Sequence, residues 1–102
     1  MTVELPCVSI ALATYNGGKF LPFLLESLSR QTLAPIEIIV FDDQSSDDTV
    51  AVLNQFKNQL PISIHINTQS LGVVQNFKQA VASCQGDYIA FCDQDDVWLP
   101  DK

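Results

Sequence analysis

Three carboxylates fall within four positions, Asp93, Asp95 and Asp96, inside "FCDQDDVW", directly after an apolar run and directly before the only tryptophan, Trp98. Carboxylates that close repel one another even in water, so such a cluster is either spread over solvent or gathered around a cation. Mg²⁺ and Mn²⁺ commonly use one or two protein carboxylates together with phosphate oxygens, and "DQD" on a turn offers Asp93 and Asp95 to one side. The chemistry that needs such an ion is departure of a nucleoside diphosphate, whose developing negative charge a divalent cation stabilises. A second acidic segment holds Asp42, Asp43, Asp47 and Asp48, so seven of the twelve acidic residues occupy two places. Asp43 or Asp42 is suited to accept hydrogen bonds from a nucleobase or ribose, and Tyr15 to flank a base with its ring. Gly17 and Gly18 let the backbone approach a ligand or begin a helix.

Plainer readings stand beside these. Asp47 and Asp48 read as acids at a helix terminus, and "NGG" reads as ordinary turn chemistry. His65 lies in a strand pattern with no second histidine in the sequence, so it reads as structural. Trp98 reads as packing under the loop.

The elements that must position the acids follow from periodicity. Four apolar, β-branched runs, at 8–13, 36–41, 62–66 and 88–92, predict strands. Leu21, Leu24, Leu25 and Leu28 recur at helical spacing, with Pro22 tolerable in the first turn. "SSDD" supplies cap and first-turn acids for a second helix carrying Val50, Leu53, Phe56 and Leu60 on one face. Val73, Phe77, Ala80, Val81 and Cys84 make a third stripe, and Gly86 follows as a stop signal. The order βαβαβαβ predicts an α/β fold: one Rossmann-like, doubly wound parallel sheet with flanking helices, forming a single domain over residues 1–102. Ligands of such sheets lie beyond the carboxyl ends of the strands. "TYNGG" follows the first strand, Asp42 and Asp43 the second, and Asp93 to Asp96 the fourth, so three distant segments converge on one rim.

Composition narrows the function classes. A net charge of −7 argues against a nucleic-acid partner, since no basic stripe displaces counterions from phosphates. No run approaches the ~20 apolar residues of a membrane span, and "MTVELPCVSI" lacks a signal's basic region, so the expected location is the cytoplasm. Cys7, Cys84 and Cys92 match no zinc or redox spacing and are expected to be buried thiols in a reducing compartment.

"VSIALATYNGGKFLPFLLESLSRQT", "IEIIVFDDQSSDDT", "LGVVQNF" and "GDYIAFCDQDDVWLPDK", in that order, resemble the family 2 glycosyltransferases, nucleotide-sugar-dependent enzymes with a GT-A fold. "DQDDVWLPDK" is most similar to bacterial enzymes that build surface polysaccharides, rhamnosyltransferases among them. The resemblance implies that Asp43 reads the base, that Ala13, Thr14 and Tyr15 line the nucleotide, and that Asn76 faces the nucleotide site. It implies Asp93 and Asp95 for a Mn²⁺ or Mg²⁺ ion, with Asp95 the direct metal ligand and Asp93 a ligand of metal or ribose. It further implies inversion at the sugar carbon, a saccharide or lipid-linked saccharide acceptor, and a full-length protein lying at the inner face of the membrane. The family's catalytic base is expected beyond Lys102, so the chain reads as a truncated, nucleotide-binding N-terminal half with no identified base of its own.

Two other classes compete: a receiver-like or phosphatase-like phosphoryl-transfer domain, and a nucleotide-binding module without catalysis. The first needs an acid at the end of the first strand or a central one, and the first strand ends in "ATYNGG". The strand order implied by the resemblance, 3-2-1-4, leaves "YIAFC" as an unprotected edge, which predicts a homodimer through the fourth strand.

Overall fold

The computed structural model describes residues 7–94, except for the side chain of Asp93; Asp95, Asp96 and Trp98 lie outside the described residues. Seven elements alternate: β1 (Val8–Thr14), α1 (Leu21–Ser29), β2 (Glu37–Asp42), α2 (Thr49–Gln55), β3 (Ile62–Ile66), α3 (Val73–Ser83) and β4 (Tyr88–Asp93). All pairings are parallel and the order is β3-β2-β1-β4, as expected. After β3 the chain reverses its march across the sheet. A crossover of constant hand must then pass over the opposite face. Accordingly α1 and α2 share a core with one face of the sheet, while α3 packs on the other face against β1 and β2.

That two-sided cover explains the central strands. Ser9, Ile10, Ala11 and Leu12 are all buried, the continuous burial of a strand covered on both faces. Ile10 and Leu12 join Leu21, Leu24, Leu25 and Leu28 of α1, whereas Ala11 joins Ala80 of α3. The α1 stripe is as the spacing predicts, and Pro22 sits at the start of the helix, where a missing N–H costs nothing.

The other two helices depart from expectation. In α2 the buried residues are Thr49, Val52 and Leu53, while Val50 is only half-buried. Asp48, at the N-cap, makes no side-chain cap bond. Asp47 does that work instead: it accepts from the Thr49 N–H at 3.0 Å and from the Thr49 hydroxyl, and its other oxygen takes the Gly18 N–H at 3.1 Å. In α3 Val73 is 67% exposed, and Asn76 is buried in its place. A polar group goes inside there because it finds partners, described below. Gly86 is no helix stop. A Cβ there would come within 2.6 Å of Ser9 Oγ and 2.8 Å of Ser9 N, so glycine lets the chain enter β4 tight against β1. Of the thiols expected inside, Cys92 is buried, Cys84 half-buried and Cys7 exposed. Cys84 is held above its usual range by burial and by the Glu37 charge. His65 stacks on Phe41 with ring centroids 4.7 Å apart, a packing role as expected.

Candidate functional site

β1 and β2 end side by side, and their first polar residues lock together. The Thr14 hydroxyl donates to Asp42 Oδ1 at 2.6 Å, the Ser45 hydroxyl donates to the same oxygen, and the Ser45 N–H reaches Oδ2. Asp42 is buried, so this carboxylate is spent on holding the strand ends. Lacing continues outward: Asn16 N–H donates to Ser45 Oγ, and Asn16 Oδ1 accepts from the Ser46 N–H at 2.8 Å. The rim is therefore built by the fold before any ligand arrives.

Asp43, one residue on, has a different task. It is 5% exposed, and both oxygens meet protein donors. Oδ1 accepts from Asn67 Nδ2 at 3.0 Å and Leu71 N at 2.8 Å; Oδ2 accepts from Ser70 Oγ at 3.1 Å and Gly72 N at 3.0 Å. The carboxylate thus clasps the 67–72 loop and sits against the start of α3, where the helix dipole favours negative charge. Gly72 lies at φ +86° and ψ 166°, a region open essentially to glycine alone. The Asn67 amide foremost, then the Leu71, Gly72 and Ser70 donors, outweigh burial and hold the Asp43 carboxyl at about 2.

Asn76 completes the clasp. Its Oδ1 accepts from Asn67 Nδ2 at 2.7 Å and its Nδ2 donates to the Phe41 carbonyl at 2.6 Å. A buried chain of hydrogen bonds therefore runs from β2 through α3 to the β3 loop and back to Asp43. Such networks fix geometry when fully satisfied.

Above this floor lies an open cavity of about 560 Å³, within the range of small-molecule sites. Ala13, Thr14, Tyr15, Asp43 and Asn76 all line it, together with Ser70, Gly72, Val73, Phe77 and Gln94. Tyr15 is 55% exposed there. Asp93 ends β4 beside Ala13 in the ladder, which sets its backbone at the same rim. Asp95 lies outside the described residues. The structure thus gathers the described members of the expected set, and adds Asn67, Ser70, Gly72, Phe77 and Gln94. Asn67 had one signal in the sequence, as the first polar residue after the third strand.

Among the described residues no three His, Cys, Asp or Glu side chains are grouped to hold a metal ion. Asp42, Asp43 and Asp47 are committed to protein donors. No described helix is long and apolar enough to cross a membrane.

The glucosyltransferase WfaP of Escherichia coli, whose full name gives UDP-Glc and α-D-GlcNAc-diphosphoundecaprenol, is 39% identical over 95 residues; these are 93% of this chain and 38% of that protein. Among solved structures, S. aureus TarS 1-349 in complex with UDP aligns with a TM-score of 0.87 at 26% identity, over 93% of this chain and 29% of that one. The mannosyltransferase PcManGT of Pyrobaculum calidifontis, solved with GDP-Man and Mn²⁺, shares the fold at a TM-score of 0.83 and 22% identity, over 93% of this chain and 29% of that one. The chain spans between 14% and 38% of the length of curated relatives it matches. Residues 9–102 match Glycosyl transferase family 2 as a whole, and with the parallel GT-A sheet and the cavity at its carboxyl rim, the chain belongs to that family.

Proposed function

We propose that the cavity binds the nucleoside diphosphate of a nucleotide-sugar donor, and that the whole protein transfers the sugar, with inversion, to a saccharide or lipid-linked saccharide acceptor in bacterial cell-surface polysaccharide synthesis. One observation carries the reading: Ala13, Thr14, Tyr15, Asp43 and Asn76, drawn from three elements, line a single cavity. The UDP in the TarS structure and the UDP-Glc in the name of WfaP favour a nucleotide-sugar donor.

In this reading Tyr15 flanks the base and Asp43 orients it. The Asp43 carboxylate already accepts four hydrogen bonds, about all it has room for. A base N–H therefore has to displace one donor. The hydroxyl of exposed Ser70 yields most easily, because it swings out by one bond rotation while the Leu71 and Gly72 donors are backbone. Asp93 and Asp95 would hold Mn²⁺ or Mg²⁺, which when bound neutralises diphosphate charge. The expected location is the cytoplasm, at the inner face of the membrane.

A ¹⁵N NMR titration with UDP and Mg²⁺ tests the placement. Shifts are expected at Tyr15, Asp43, Ser70, Gly72 and Asn76. Shifts centred instead on another cavity, of about 330 Å³ around Phe41, His65 and Gln79, would place the ligand elsewhere.

The edge of the sheet supports the dimer. On β4, Tyr88 and Phe91 are each 64% exposed, and Phe91 makes an edge contact with Phe77 of α3. A parallel edge of this kind is a template for pairing. The 102-residue chain is therefore expected to dimerise through β4, and sedimentation showing a monomer at high concentration would reject this.

A further inference from the structure

Gln94 occupies the position between Asp93 and Asp95 that an aspartate motif treats as a spacer. Its side chain is not idle. Oε1 accepts from the Tyr15 N–H at 2.9 Å, and Nε2 donates to the Tyr15 carbonyl at 3.0 Å. The backbone ladder between β1 and β4 ends at Ala13 and Asp93. The amide of Gln94 therefore continues it, supplying to Tyr15 the paired donor and acceptor that a strand neighbour would offer.

The opposing loop is shaped to seat this amide. A Cβ on Gly17 would lie 2.2 Å from Gln94 Oε1, 2.4 Å from Cδ and 3.0 Å from Cγ, and these are the three nearest atoms. Gly17 is also not among the residues at positive φ. Its need for glycine is set by Gln94 and by nothing in its own backbone conformation.

We propose that Gln94 is a positioning residue that ties the aspartate-bearing turn to the loop carrying Tyr15, so that the base end and the diphosphate end of one ligand are held in a single register. Gln94 directly follows Asp93, so the tie holds the end of β4 against the loop after β1. The ligand consequence rests on the nucleotide reading given above; the tie itself does not.

Three measurements on Gln94→Ala, and on Gln94→Met as a shape-preserving variant, test it. Hydrogen exchange at the Tyr15 amide is expected to accelerate at least tenfold, with the Ala11 and Ile39 amides unchanged. UDP with Mn²⁺ should bind about tenfold more weakly, as for loss of one to two neutral hydrogen bonds, while pyrophosphate with Mn²⁺ binds as before. Global destabilisation would not separate those two ligands. Finally, Gly17→Ala should destabilise the wild-type chain but become nearly silent in the Gln94→Ala background, a non-additivity expected of residues in contact. Unchanged Tyr15 exchange, or a Gly17→Ala cost equal in both backgrounds, overturns the tie. If exchange and non-additivity come out as stated but the wild-type chain binds no UDP, the nucleotide reading fails and the ligand half of this proposal falls with it.

Discussion

Asp43→Ala is expected to lower the unfolding free energy by about 3 kcal/mol and to weaken nucleoside diphosphate binding by more than tenfold. The stability loss follows from the partners left behind. Without the carboxylate, the Leu71 and Gly72 N–H groups and one donor of the buried Asn67 amide lose their acceptor, and the 67–72 loop is no longer held to β2. Asp43→Asn should restore little, because its amide nitrogen would confront donors where the carboxylate offered an acceptor. Pyrophosphate with Mn²⁺ should bind the variant almost as well as the wild type, since the proposed contact of Asp43 is to the base. Equal weakening of both ligands would move Asp43 into the metal shell.

The same group gives a pH signature. The folded-state value of Asp43 is depressed to about 2, so its stabilisation is fully present above its ordinary value near 4 and is lost as pH falls toward 2. Asp47 is shifted the same way, chiefly by the Thr49 hydroxyl, and adds to the loss in acid. Urea unfolding of wild type and Asp43→Ala should therefore differ most above pH 4 and converge toward pH 2. A constant difference across that window would contradict the assignment.

How much of this was legible in the sequence depended on whether a residue's partners were near or far. The strands and the leucine face of α1 declare themselves through local repetition, and the rim follows because parallel strands place all their carboxyl ends together. Asn76 was legible only through the resemblance. By periodicity Val73 belonged in the stripe, and nothing local says that an asparagine will displace it. Its partners, Asn67 and the Phe41 carbonyl, lie 9 and 35 residues away. Asp42 and Asp43 looked interchangeable as adjacent acids, yet alternation along the strand end sends one to Thr14 and Ser45 and the other to the β3 loop. Gln94 was invisible as a functional residue because its partner, Tyr15, is 79 positions away and offers only backbone.

Asp95→Ala is expected to abolish metal-dependent binding of nucleoside diphosphates while leaving the unfolding midpoint nearly unchanged. It removes a hard oxygen donor of the proposed metal ion and exchanges one charged side chain for a small one. Retained binding with the same Mn²⁺ dependence would transfer the metal role to another residue. The most direct test of the whole account is calorimetric titration of the wild-type chain with uridine, thymidine and guanosine diphosphates, with and without Mn²⁺. One site per chain is expected, for at least one of these nucleotides, that appears with Mn²⁺ and is lost on chelation. No binding of any diphosphate in the presence of Mn²⁺, together with labelling of an aspartate by acetyl phosphate, would contradict it.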